Sequence, residues 1–223
     1  IVRKADEKAR GETSRGRMSM TIERPGWSRT IEMKSWSLGT EYYLIYIESP
    51  PKEKGQVFLK RNTEMWNWVP SIDRMIKLPP SMMMQSWMGS DFTNDDLVKE
   101  SSILKDYTHR LLGKEVVRER ECYKVELIPK EDAPVVWGKI ISWITTDNFD
   151  QWKAEFYDEE GYLINSQNAY KPKKMGDRVI PSEMVLVPAD KPRNRTILQI
   201  EEMVFNEPIS KDFFSQQNMK RVR

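Results

Sequence analysis

The sequence predicts a mainly β chain, an antiparallel sheet interrupted by short helices, on three observations. Apolar and polar residues alternate with period two in segment after segment. Pro, Gly, Asn and Asp gather between those segments as turn signals. The composition is polar, 39% hydrophobic and 31% charged, yet it holds eight Trp, eight Tyr and seven Phe. Disordered chains carry few aromatics, so this mixture suits a sheet with one wet face and one apolar face. At 223 residues the chain can bury a substantial core. It shows no internal repeat, low-complexity tract or linker and reads as a single domain over residues 1–223.

Val2–Arg10 (VRKADEKAR) contains strong helix formers and no breaker before Gly11, so a short N-terminal helix is expected. Met18, Met20 and Ile22 then alternate with Ser19, Thr21 and Glu23 until Pro25-Gly26 turns the chain. Trp27–Ser37, Thr40–Ser49 and Gln56–Arg61 follow as strands, and with the first they make an antiparallel meander. The third is apolar on both faces: Tyr42, Leu44 and Tyr46 on one, Tyr43, Ile45 and Ile47 on the other. Something therefore covers both sides of the sheet there, either helices or a ligand. From Leu78 to Lys105 the alternation stops, because Pro79-Pro80 cannot continue a ladder. Ser81 is placed to cap a helix over Met82–Met88 ended by Gly89, and Thr93 to cap a second over Asn94–Glu100.

Strand signals return at Glu115–Glu119, Cys122–Ile128, Lys139–Thr145, Gln151–Asp158, Leu163–Tyr170, Val179–Val187 and Thr196–Phe205. Turns separate them at Pro129, Asp147-Asn148, Glu160-Gly161, Met175–Asp177 and Pro188–Pro192. Ile209–Ser215 reads as a terminal helical turn with Ser210 as its cap. The expected total is about ten or eleven strands.

The reactive inventory is thin. A net charge of +2 with interleaved signs gives no basic footprint for nucleic acid. His109 and Cys122 are each the only residue of their type, which removes two-His and Cys-cluster metal sites. No nucleophile elbow and no phosphate-binding glycine loop is present. Asp147, Asp150, Asp158, Glu159 and Glu160 fall at expected turns, where acidic residues are ordinary. No cofactor and no catalysis are expected. No apolar run approaches the ~20 residues of a membrane helix. The first residue is Ile, which points to a processed chain whose export signal would already be gone.

What remains distinctive is Glu64–Phe92, EMWNWVPSIDRMIKLPPSMMMQSWMGSDF. Trp66, Trp68 and Trp87 stand there among Met65, Met75, Met82, Met83, Met84 and Met88. Met adapts to irregular partners through its flexible, polarizable side chain, and Trp adds large contact area. Two readings stand: a Met- and Trp-rich core, or a deformable apolar groove with a lid.

The run VFLKRNTEMWNWVPSIDRMIKLPPSMMMQSWMGSDFTNDDL (Val57–Leu97) resembles the bacterial outer-membrane lipoprotein-sorting proteins of the LolA-like superfamily. So do the opening RKADEKARGETSRGRMSMTI, RVIPSEMVLV (Arg178–Val187) and NRTILQIEEMVFNEPISKDFFS (Asn194–Ser215). The resemblance implies an open half-barrel of about eleven antiparallel strands with short helices lining its concave face. It implies a periplasmic monomer that carries acyl chains of a lipoprotein or lipid toward an outer-membrane acceptor, beside an inner-membrane transporter of the resistance-nodulation-division type. On this reading Tyr43, Ile45, Trp66, Trp68, Met82, Met83, Met84, Trp87, Met88 and Phe92 line or cover a hydrophobic cavity. The best-known member of that superfamily locks its helices over the cavity with an arginine, for which Arg61 and Arg74 are candidates here. That member also carries an added C-terminal strand and loop, whereas this sequence stops at Arg223. The alternatives are a non-carrying interaction module of an envelope transporter and an enzyme on the same fold.

Overall fold

The computed structural model describes residues 1–99 and 103–223. The N-terminal helix α1 spans Val2–Arg10 as expected and buries Val2 and Ala5. Six strands follow: β1 (Thr13–Arg24), β2 (Trp27–Leu38), β3 (Tyr42–Ser49), β4 (Val57–Arg61), β5 (Glu64–Val69) and β6 (Arg74–Lys77). After a long insert come β7 (Tyr107–Val117), β8 (Arg120–Pro129), β9 (Lys139–Thr145), β10 (Gln151–Tyr157), β11 (Leu163–Met175), β12 (Arg178–Pro188) and β13 (Arg195–Phe205). A short helix α2 (Gln216–Met219) lies near the C-terminus.

Among the described residues thirteen strands form one antiparallel sheet in the order β6-β5-β4-β3-β2-β1-β13-β12-β11-β10-β9-β8-β7. It is an up-and-down meander in which the first and last strands pair, and it opens in the middle of the chain between β6 and β7. The expected count fell short by β5 and β6. In β5, Met65, Trp66 and Trp68 are buried on both faces, so no polar–apolar contrast marks it as a strand. The four-residue β6 is an edge strand with little burial. The start of β7 was also missed, because this other edge is exposed along nearly its whole length.

The sheet curls. Ile45 on β3 and Leu127 on β8 border the same cavity, although a flat sheet would hold strands eight steps apart at roughly 38 Å. Close approach at the β1–β13 join helps: a Cβ on Gly16 would lie 2.5 Å from the Glu202 carbonyl oxygen, beside a register shift at Arg17/Met18.

Both faces are covered at β3, as its composition requires. Leu44 and Tyr46 meet Trp66, Trp68, Phe214 and Met219 on the convex side, where the C-terminal segment crosses the sheet. Ser210 accepts from the Asp212 N–H, as expected of the cap, and Ser215 accepts from the Asn218 N–H to start α2. On the concave side Ile45 and Ile47 join a core with Met20, Ile22, Phe58, Met83 and Trp87.

The expected helix over Met82–Met88 is absent. Two 3-10 turns, Pro80–Met82 and Trp87–Gly89, stand in its place, and Ser81 makes no cap. Ser86, with ψ 124°, leaves the helical region inside that span, and left-handed Met88 (φ 50°) and Gly89 (φ 79°) follow it. The segment closes on itself instead: the Trp87 N–H donates to the Phe92 carbonyl at 2.8 Å and the Asn94 side-chain amide to the Met82 carbonyl at 2.8 Å. Thr93 does cap the next turn, over Asp95–Lys99, in a reciprocal box with Asp96. The final residue of the expected second helix, Glu100, lies outside the described residues.

Candidate functional site

Two covers lie over the concave face. The insert segment Leu78–Leu97 packs on the β1–β4 half through Met83, Trp87 and Phe92. Helix α1 packs on the other half through Val2 and Ala5, against Leu127, Ile140 and Ile144. Between them the structure holds a cavity of about 400 Å³. Met18, Met33 and Ile45 form one wall, Leu186, Leu198 and Ile200 the floor, and Ile140, Ile144 and Phe156 the opposite wall.

Each cover is fastened by charge. Lys8 of α1 makes an ion pair with Asp150, whose side chain is almost wholly buried, and donates to the Asn148 carbonyl at 2.9 Å. Arg178 donates to the Lys8 carbonyl at 2.9 Å, serving the helix C-terminus where a cation also opposes the dipole. Arg10 pairs with Asp6 one turn away. On the insert, Arg24 grips the Asp91 carboxylate with both Nη atoms at 2.9 and 3.0 Å. Thr196 donates to the same carboxylate at 2.6 Å, and Arg29 donates to the Met88 carbonyl. The two arginines suggested by resemblance do not hold the insert: Arg61 and Arg74 are exposed on β4 and β6. Nothing in the local sequence of Arg24 or Arg29 marks them, because their partners lie about sixty residues away.

At the inner end of the insert, burial pushes the Asp96 carboxyl upward, against hydrogen bonds from the Thr93 backbone and the Trp137 indole at 2.9 Å. Burial also raises Tyr107, helped by the charges of Asp95, Asp96 and Asp106, so its phenol stays protonated. Burial raises the Cys122 thiol, which sits within the sheet as an unreactive group. His109 is exposed, with its Nε2 2.6 Å from the Ile103 carbonyl. Among the described residues no group of three His, Cys, Asp or Glu is placed to hold a metal ion.

The residues singled out from sequence separate into four places. Tyr43, Ile45 and Phe92 border the cavity. Met83 and Trp87 are buried in the adjoining core, and Met82 and Met88 pack on it. Met84 points outward at 56% exposure. Trp66 and Trp68 lie on the convex face under the C-terminal segment. Sequence reasoning missed the cavity walls from β8 to β13 and the lining from α1, since apolar alternation marks every strand alike and says nothing about which face is hollow.

This is the LolA-like fold: an open, mainly β sheet with short covers. A DUF1329 family protein from Desulfovibrio piger superposes with a TM-score of 0.87 at 21% identity, covering 98% of this chain and 95% of that one. A domain from Vibrio parahaemolyticus, described as an outer membrane lipoprotein-sorting protein, gives 0.84 at 22%, covering 99% and 98%. A LolA superfamily protein from Nitrosomonas europaea gives 0.83 at 22%, covering 97% and 96%. Comparison with curated proteins gives no match. The model of a family described as "Uncharacterized protein" matches residues 39–221, and the chain belongs to that family. No helix among the described residues is long and apolar enough to cross a membrane.

Proposed function

We propose that this chain is a periplasmic carrier that takes an acyl chain of a lipoprotein or lipid into the cavity for transfer toward the outer membrane. The observation that carries the reading is the apolar cavity between two covers. Apolar burial is worth about 25 cal/mol per Å², or about 0.8 kcal/mol for each CH₂, so a long chain needs no directed polar chemistry to bind. The two covers belong to separate segments of the chain, each packed on its own half of the sheet, and parting of one from the other would open a route for entry. The names of the structural neighbours, a lipoprotein-sorting protein among them, support the same assignment. The partners proposed are a donor transporter of the resistance-nodulation-division type at the inner membrane and an acceptor at the outer membrane. Outward-facing Met84 on the insert is a contact point available to either.

Binding of a fluorescent acyl probe tests the site. A carboxylate in a dry lining is strongly disfavoured, so Tyr43→Asp on the β3 wall and Met184→Asp on the β12 floor should each weaken the probe at least tenfold. Both should retain the circular dichroism of the β-sheet. Unchanged probe affinity in both folded variants would place binding elsewhere and defeat the assignment.

A further inference from the structure

We propose that the ligand of this cavity is a neutral single-chain amphiphile, an acyl chain joined through an ester or amide. The inference rests on the carrier reading and names its ligand class. Two hydroxyls on different strands point to it. Ser35 on β2 and Ser142 on β9 are 2% and 5% exposed and border the cavity. Neither side chain has a hydrogen-bond partner among the described residues. Ser142 is paired with Ala154, and Ala154 on its other side with Gln167, which also borders the cavity and whose side chain likewise has no hydrogen-bond partner among the described residues. Three polar groups thus open into a mostly apolar space.

Buried polar groups are almost always hydrogen-bonded, and leaving one unmade costs more than the bond itself contributes. A bare alkyl chain would strand all three. An ester or amide carbonyl accepts from a serine hydroxyl or the glutamine N–H, and a neighbouring hydroxyl or amide N–H donates in return. Beside the cavity both cations are paired with carboxylates, Lys8 with Asp150 and Arg10 with Asp6, and Asp95 and Asp96 border it as well, which disfavours an anionic headgroup such as a free carboxylate. The volume of about 400 Å³ is near the lower end of the ~300–1,000 Å³ usual for ligand pockets and suits one chain.

Competition against bound diphenylhexatriene tests this with four probes of equal chain length: 1-monolauroylglycerol, N-lauroylethanolamide, laurate and dodecane. The ester or the amide, or both, should displace the fluorophore at concentrations about tenfold below dodecane and below laurate. The arm that wins tells ester from amide. In Ser35→Ala/Ser142→Ala the ratio to dodecane should collapse toward one. That ratio compares ligands on the same folded molecules, so a less stable variant does not blur it. Dodecane or laurate equalling the neutral amphiphiles, with the fluorophore still bound, would overturn this inference and leave the carrier reading standing. A protein that takes up neither the fluorophore nor any probe would overturn both.

Discussion

Trp87 is the largest side chain with no solvent exposure, and its ring lies 5.2 Å from that of Phe58. Its indole N–H has no hydrogen-bond partner among the described residues. Trp87→Ala should therefore cost about 3–5 kcal/mol of stability, as for other buried aromatics. Trp87→Phe removes an unsatisfied donor along with some volume and should cost about 1 kcal/mol. Denaturant midpoints of the two variants check the difference, and equal losses would show that the indole N–H matters. Asp96 gives a pH signature. Its carboxyl is raised by burial in the folded state, so folding takes up a proton between the unfolded value near ~4 and the higher folded value. The stability tied to protonated Asp96 is then fully present below ~4 and is lost as pH rises through the folded value. Asp96→Asn should flatten that decline above about pH 4, in stability measured against the parent chain. A parallel pair of curves would mean that Asp96 does not titrate in this range.

Among the elements, the insert is held most specifically by Arg24 on Asp91, a pair with side chains 14% and 9% exposed. Removing one partner strands the other, at about 3 kcal/mol or more. Arg24→Ala should speed hydrogen exchange over residues 82–97 while the central strands β1 and β13 keep their protection. Uniform exchange loss would show that insert and sheet open together. The same elements show what could be read from sequence. Strand β13, with one wetter face, appears with close to its full length because alternation there reports a real difference between faces, whereas β9, buried on both faces, is legible from its apolar, β-branched run between turn signals. Strand β5 was hidden by burial on both sides, and β7 by exposure on both. The methionine run looked helical because Met is a good helix former. Its actual path is set by Phe58 and by carbonyl contacts from Arg24 and Arg29, which no local pattern encodes.

For the molecule as a whole, the pairing of β1 with β13 places the sheet's opening at the middle of the chain. The Met-Trp insert is the connection between the two free edges, and its inward path follows from that topology. Sequence pointed to the sheet and to a covered concave face. The hollow was expected only through the family resemblance, with Tyr43, Ile45 and Phe92 of its lining named; the walls from β8 to β13 were not, because they come from strands far from these in sequence. Ser35, Ser142 and Gln167 look like ordinary polar positions until the curl brings them to one space. Native mass spectrometry of gently purified protein tests the central claim most directly. A carrier should retain, or take up from an added acyl lipid, one ligand of lipid mass per chain, released at modest collision energy. A protein found only at its own mass, even after incubation with acyl lipid, would mean that the cavity is no carrier site.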